Sequence, residues 1–537
     1  MLYRSRKILV AKHNKMKFLR KEKKYMNMLK KGFSLVLVLL ILLPCVISCR
    51  SDQVNSGDPA SSESSSSSDV VDGNKETESD KYNVSDDVGT RDYGGREIRL
   101  GYVNSGKLEI DIVPERLSGD IVDDALYKRN AAVENRLKVK LVPYISPEKN
   151  LVTDLRNTVE SGAAPFDIMF GRLYITAGAV KEGFFYNLND CEDINFDGVY
   201  WGKYANKEME IGGVLNMATG AITLTFYSDT FCVAVNDRIL ASAKDGEVPD
   251  LIKVVDDGEW TLEYQTQLAN KYYLDQGEAG KDDDDIAGFY SLAYSSHHDA
   301  YLPAMNIKFT SKDDTGYVKF EIDLARLASA VEKVGALNTA PGTVLAEATD
   351  DTFVPMRKAF GNGRALMVQV RLYDLLQLDD MKDTYTVLPV PKFDKEQPEY
   401  YSSVHDSSIG VSLVSAVLEE DVQMMGAVIE VMASESYRQV TPTFYETVLK
   451  TRNLDNPDNW RILDKMMANA TLDTSTPFGP VVVYGYSPVG WWRRILRTRI
   501  NESTNTVASV FNEERVAGLR DSVDVLNGYY RSLNENN

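Results

Sequence analysis

From residue 97 onward, short apolar runs alternate with longer stretches whose apolar residues recur three and four apart. Glu97-Ile-Arg-Leu-Gly-Tyr102 alternates as a strand, and Ile121 to Leu137 places Ile121, Ala125, Val133 and Leu137 on one helical face. Val139 to Tyr144 reads as a second strand. Leu151 to Val159 reads as a helix stopped by Ser161-Gly162, and Pro165 to Phe170 as a third strand, followed by a helical stretch ending near Gly183. Strand–helix–strand–helix–strand predicts a parallel sheet with helices on its faces. Ligands bind such sheets at the carboxyl ends of the strands, so Arg172 and Tyr174, just past the third strand, are candidate ligand contacts. The alternative for Tyr174 is core of the next helix. Ala221 to Phe226 and Phe231 to Val235 predict two further strands, and Thr261 is a candidate N-cap for a helix beginning at Leu262.

The pattern upstream is of another kind. Lys30 and Lys31 precede an unbroken apolar run, Phe33 to Leu43, followed by Pro44 and Val46-Ile-Ser-Cys49. A basic start, an apolar run and a small residue before the cut describe a secretory signal peptide. The end of the run resembles a bacterial lipobox, in which Cys49 carries lipid and becomes the new N-terminus. This implies a protein anchored by lipid to the cell membrane, on its extracellular face. A single spanning helix is the alternative, but it needs about 20 apolar residues and Pro44 interrupts this run. Residues 1–25 are basic, precede the nearer candidate starts Met26 and Met28, and are left out of the fold. Residues 50–92, with Ser61, Ser62 and the run Ser64 to Ser68, hold almost no large apolar side chains. Such a segment cannot bury enough surface to offset its ordering entropy and is expected to be a flexible tether.

Charge narrows the partners. The chain has 60 Lys and Arg against 79 Asp and Glu, net −19; without the 12 basic and one acidic side chains of residues 1–49 the balance is 48 against 78. Binding nucleic acid relies on neutralising phosphates with Lys and Arg, so nucleic acid is excluded as a partner, and an acidic surface favours a soluble monomer. Past the signal only Cys191 and Cys232 remain; a disulfide between them and two buried thiols are both open readings. No Cys-x-x-Cys, zinc-spaced His cluster or P-loop is present, so neither cofactor nor metal is expected. The acidic run Asp282 to Asp285 could suit calcium, but a twelve-residue loop counted from Asp275 ends at Ile286, where a bidentate Glu is needed. A solvated acidic loop is the better reading.

Several segments, taken in order, resemble the carbohydrate-binding extracellular solute-binding proteins of ABC importers, the family that includes maltose-binding protein. They are Ala164-Pro-Phe-Asp-Ile-Met-Phe170 with Gly183 to Leu188; Phe231 to Leu240 with Asp257-Gly-Glu-Trp-Thr-Leu-Glu-Tyr264; Phe360-Gly-Asn-Gly-Arg-Ala-Leu-Met-Val-Gln-Val-Arg-Leu-Tyr373; Tyr385 to Pro391 with Ser407 to Val414; and Gly490-Trp-Trp-Arg-Arg494. The resemblance implies an α/β protein of two lobes, a periplasmic-binding-protein-like fold with a ligand cleft between them. It further implies capture of a small solute, a sugar, for delivery to the permease of an ABC transporter. The expected lobes are 93–225 with 390–450, and 226–389 with 451–537.

The resemblance also suggests site residues. Where the family has Gly-Pro-Trp this chain has Arg371-Leu372-Tyr373, so Tyr373 takes the stacking place and Arg371 adds a charge that points away from a plain neutral maltodextrin. Trp491 and Trp492 correspond to the late aromatic pair. Sugars offer apolar C–H faces to aromatic rings and a rim of hydroxyls to charged or amide groups. Arg172, Asp229, Arg371, His405 and Asp406 are the polar candidates. Two other classes stay open: a glycoside-acting enzyme, and a surface module for adhesion or signalling. His405-Asp406-Ser407 contains the residue types of a catalytic triad, but as sequence neighbours, whereas triads are assembled from distant segments.

Overall fold

The computed structural model of the chain describes residues 80–103, 112–147, 149–159, 164–243, 245–277, 284–292, 296–346, 354–378, 380–405, 407–450, 457–472, 478 and 507–536. All of them belong to one compact unit, Lys75–Asn537. Two sheets organise it. The first has the order β12-β3-β1-β2, with β1 at Arg96–Tyr102, β2 at Val139–Ile145, β3 at Ile168–Arg172 and β12 at Ile409–Leu413. The second has the order β10-β4-β9-β5-β8, with β4 at Phe231–Asn236, β5 at Ala287–Leu292, β8 at Thr343–Ala346, β9 at Ala365–Arg371 and β10 at Tyr385–Leu388. A short hairpin joins β6, Thr310–Lys312, to β7, Val318–Phe320; a two-residue pair joins β11, Ser402–Ser403, to β13, Ala470–Thr471.

The sheets repeat one plan. In the first, β1 pairs in parallel with β2 and β3, and antiparallel β12 closes the edge beside β3. In the second, β5 pairs in parallel with β8 and β9, and antiparallel β4 lies beside β9. Parallel neighbours require crossovers, supplied here by helices Ile121–Leu137 and Leu151–Val159 in one lobe and Leu324–Thr339 and Val354–Gly361 in the other. Every residue of β4, β9 and β12 is buried, as expected of strands covered on both faces.

The local reading holds for most elements. The helix at Ile121–Leu137 starts on Asp120, whose carboxylate accepts the N–H groups of Val122 and Asp123. Thr261 caps its helix by accepting the Tyr264 N–H at 3.3 Å. Ala221 to Phe226 is an exception: the segment is a turn running into a short helix, Thr225–Ser228, not a strand. The threonines in it and just before it use their hydroxyls on the segment at Ile409. Thr219 and Thr223 donate to the Ile409 carbonyl at 3.2 and 2.9 Å, and Thr225 accepts the Ile409 N–H at 2.9 Å. Side-chain bonds of this kind compete with a strand ladder.

The chain leaves the first sheet after β3 and joins the second at β4; it returns from β10 to β12. The two connecting segments are bonded to each other, with bridges Ala218–Val411 and Thr230–Val404 and the His405 N–H donating to the Asp229 carbonyl at 3.1 Å. Gly410 permits this close approach: a Cβ would lie 2.6 Å from a Leu173 methyl and 3.1 Å from the Ala218 carbonyl.

Candidate ligand-binding site at the carboxyl edges of the two sheets

Each sheet ends its third parallel strand in a turn carrying the same tripeptide. Arg172-Leu173-Tyr174 leaves β3 and Arg371-Leu372-Tyr373 leaves β9. Arg172 pairs with Ile409 of the antiparallel neighbour, and Arg371 pairs with Phe231 of its own. The Leu173 N–H donates to the Ser408 carbonyl at 2.9 Å, and the Leu372 N–H donates to the Thr230 carbonyl at 3.0 Å. Both leucines are fully buried and both tyrosines are half-buried.

The surroundings of the two arginines differ. Arg371 is buried; its Nη1 donates to Asp229 Oδ1 and its Nε to Asp374 Oδ2, each at 3.1 Å. Asp374, with no exposed side-chain surface, also accepts from Arg357 Nη1 at 2.8 Å. Burial disfavours the Arg371 charge, but Asp374 and Asp229 outweigh it and raise the pKa. The four groups sum to zero charge, so the extra charge expected at Arg371 is compensated within the protein. The guanidinium lies 5.8 Å from the Tyr373 ring centre, holding the ring from behind. Burial raises the Tyr373 hydroxyl pKa, with Asp374 adding to it. Arg172, half-buried, lines a cavity of about 190 Å³ with Val103, Lys149, Asn150, Ile175 and Ile409, at the point where strand order reverses about β1. That is where open α/β sheets receive ligands.

No protein-family profile matches the sequence, and no curated protein is similar to it in sequence. Solved structures do match. A cyclic α-maltosyl-1,6-maltose binding protein from Arthrobacter globiformis aligns with a TM-score of 0.53 at 12% identity, over 81% of this chain and 99% of that one. A sugar transporter from Rhizobium etli in an open conformation aligns with a TM-score of 0.52 at 14% identity, over 80% of this chain and 99% of that one. The fold is that of the two-lobe solute-binding proteins.

Within this solute-binding fold, the sequence candidates fall into groups. Asp229, Arg371 and Tyr373 form one cluster on the second lobe. His405 is tied to it, since its backbone bonds Asp229 and its ring lies 5.8 Å from that of Phe231. The His405 Nδ1 accepts the Ser407 N–H at 3.1 Å and lies 2.6 Å from the Ser407 hydroxyl, so the neutral ring carries its proton on Nε2. This is a local turn two residues long. Arg172 and Tyr174 occupy the matching turn of the first lobe. Asp406, Trp491, Trp492 and Cys49 lie outside the described residues.

Sequence reasoning missed Asp374, the inner partner of Arg371, Arg357, which pairs with Asp374, and Lys149, which lines the cavity with Arg172. For the first pair no sequence signal exists beyond an acid three residues after Arg371. The repeated tripeptide was such a signal for the turns themselves. Cys191 and Cys232 are free, buried thiols, not a disulfide; burial pushes the Cys191 thiol up to about 12 and raises that of Cys232 as well. Asp285 accepts from the Tyr273 hydroxyl at 2.8 Å and the Gln276 N–H at 2.9 Å. Asp282 and Asp283 lie outside the described residues. Among the described residues no group of three or more His, Cys, Asp and Glu side chains is placed to hold a metal, and no helix is long and apolar enough to cross a membrane.

Proposed function

We propose that this protein captures a small carbohydrate between its two lobes and delivers it to the permease of an ABC importer, and that it is a binding protein and not an enzyme. The observation that carries the reading is the convergence of both carboxyl edges on the same pair of connecting segments. Two half-buried tyrosines there provide ring faces with polar tips, the surface that a sugar's C–H faces and hydroxyl rim require. The cyclic maltosyl-maltose binding protein and the sugar transporter that share the fold support a sugar as the solute. A solute placed between lobes favours closure only through its greater affinity for the closed form, and closure is the signal a permease can recognise. Thermal unfolding of the full chain in detergent, screened against mono- and oligosaccharides, tests the reading. A sugar at 100 times its dissociation constant should stabilise the folded state by about 2.7 kcal/mol. A flat response to every sugar, alongside affinity for a cell-surface protein, would replace capture with adhesion; turnover of a glycoside would replace it with catalysis.

We also propose that Cys49 carries the lipid that holds the protein on the outer face of the cell membrane, with residues 50–79 as tether; residues 80–92, expected in the tether, are instead packed on the folded unit, where Tyr82 and Val88 are buried and Asp86 accepts from Arg136. The basis is the sequence Val46-Ile-Ser-Cys49 after its apolar run. Stable anchoring takes more than one acyl chain, since each buried CH₂ contributes only about 0.8 kcal/mol. Cys49→Ala should release the protein from the membrane fraction or leave its precursor uncut. Wild-type fractionation of that variant, with no diacylglyceryl on wild-type Cys49 by mass spectrometry, would refute the anchor.

A further inference from the structure

The cavity at the carboxyl edge of the first sheet differs in charge from the cluster of the second lobe. Arg172, at the end of β3, and Lys149, just before the helix Leu151–Val159, both line it. Among the described residues no Asp or Glu lines it, although the chain has 79 acidic against 60 basic side chains. Arg371, by contrast, ends β9 bonded to Asp229 and Asp374. Lys149 is exposed and holds a left-handed backbone, φ 54°, which Gly or Asn adopts more readily.

Neutral donors stand beside the two cations. Leu151 and Val152 open the nine-residue helix, are buried and line the cavity. Asn150 caps this helix by accepting the Thr153 N–H at 3.2 Å, and its carbonyl accepts the Asp154 N–H at 3.2 Å. The N–H groups of Leu151 and Val152 precede any intrahelical acceptor, as the first N–H groups of every helix do. Thr176 lines the same cavity at 1% exposure, and its hydroxyl has no hydrogen-bond partner in the protein. A Cβ at Gly171 would lie 2.7 Å from that hydroxyl, so glycine lets it sit against the end of β3. Burying a hydroxyl without a partner costs free energy, and an acceptor placed in the cavity would recover it. At about 190 Å³ the cavity has room for several waters, and so for an acid group.

We propose that this cavity is an oxyanion site and that the solute is an acidic sugar, whose carboxylate or anionic ester is held by Arg172, Lys149, Thr176 and the start of the helix Leu151–Val159. This rests on the reading of the protein as a carbohydrate-binding protein and adds the charge of the solute to it. A carboxylate accepts charge-assisted, two-pronged bonds from a guanidinium, whereas a sugar hydroxyl offers it one weaker acceptor. The helix start adds N–H groups and the positive end of its dipole, which favour an anion over a neutral group. The acidic excess of the chain does not cancel this preference. Surface charges farther than about 8 Å are largely screened at physiological ionic strength, while cations in contact with the ligand are not.

The test is calorimetry on the full chain in detergent, at low and at physiological salt. The probes are glucuronate and glucose, digalacturonate and galactobiose, glucose 6-phosphate and maltotriose. An acidic probe should bind wild type at least about tenfold more tightly than its neutral counterpart. Binding of the uronates alone would make the oxyanion a carboxylate, and binding of glucose 6-phosphate alone would make it a phosphate ester; either outcome supports the site. For the acidic probe that binds most tightly, Arg172→Gln should cost about ten- to a hundredfold in affinity and Thr176→Val about three- to tenfold. Lys149→Gln should cost about two- to fivefold at low salt and less at physiological salt. Lys149 is exposed, so Lys149→Gln should melt as wild type does, and the loss it shows is one of binding. Neutral probes binding alone, or as tightly as their acidic counterparts, would overturn the oxyanion site and leave carbohydrate capture standing. Wild-type affinity for the acidic probe in Lys149→Gln at low salt, or in a folded Arg172→Gln, would do the same. Failure of wild type to bind any of the six would overturn both.

Discussion

The two lobes share a strand plan and a tripeptide, yet they put their buried charges in different places. In the second lobe the ions lie directly behind the turn: Arg371 and Arg357 around Asp374, with Asp229 across. In the first lobe, Ile175 occupies the position that Asp374 takes in the second. Its buried ions gather at the opposite, amino edge of the sheet, where Asp86 accepts from Arg136, Arg438 and Ser434. Ser434 lies on the helix Glu419–Glu435 and Arg136 in the last turn of Ile121–Leu137, so this network braces helices and not a site. The same three residues can thus leave a strand on two different supports. Backbone pairing sets the turn; tertiary neighbours set what stands behind it.

Breaking each network should separate the two roles. Asp374→Ala leaves two guanidiniums, 7% and 18% exposed, with Asp229 as the remaining acid of the cluster. Removing one partner of a buried ionic cluster costs about 3–5 kcal/mol. Denaturant unfolding should show a loss of that size, and sugar affinity in the still-folded fraction should fall as Tyr373 loses its backing. Asp86→Asn should cost less, about 2–3 kcal/mol, because Arg136 and Arg438 keep about a fifth of their side-chain surface in water. Sugar affinity should not change. Equal losses of affinity in the two variants would erase the distinction between a supporting and a bracing network.

How far the sequence alone leads differs between these regions for the same reason. Several elements were legible because their signals are local: the periodicity of Ile121 to Leu137 and of Leu151 to Val159 in the first lobe, and the cap at Thr261 in the second. The two turns were legible by different routes, Arg172-Leu173-Tyr174 by its position past a strand and Arg371-Leu372-Tyr373 by resemblance, and both do leave the ends of buried strands. Ala221 to Phe226 was not, because its β-branched composition reads as strand while its threonine hydroxyls serve a segment almost two hundred residues away. Nor was the support behind Tyr373, since Arg357, Asp374 and Asp229 meet only when β4 and β9 pair. The repeat of Arg-Leu-Tyr, in contrast, is visible in the letters and gains meaning only when both copies are seen to end equivalent strands.

The smallest expected effect has the opposite sign. Beside the first lobe's network, Glu430 is fully buried; it accepts from the Trp201 indole N–H at 3.0 Å and from the Tyr200 hydroxyl. Burial raises its pKa from the ordinary 4.5 to about 7, opposed by the bonds from Tyr200 and Trp201, with the nearby Asp86 charge adding to the rise. A folded-state pKa above the unfolded value means that the folded protein holds the proton more tightly. Glu430 therefore contributes most below about pH 4.5, and its contribution falls as pH rises to about 7, where both states have lost the proton. Asp86 runs the other way. Burial raises its pKa, but the bonds from Arg136, Ser434 and the Val88 N–H bring it well below the usual carboxylate range, so its contribution is present at neutral pH and fades only in acid. Glu430→Gln keeps the shape and removes the ionisation. Wild type and variant should be similar near pH 4.5 and diverge toward pH 7, with the variant about 1 kcal/mol more stable at pH 8, a net of relieved ion burial against weakened hydrogen bonds. Melting temperatures of the two proteins from pH 4 to 9 decide it. Parallel curves would mean that Glu430 does not titrate in this range, and a variant less stable at pH 8 would mean that its bonds to Tyr200 and Trp201 outweigh the cost of burying its charge.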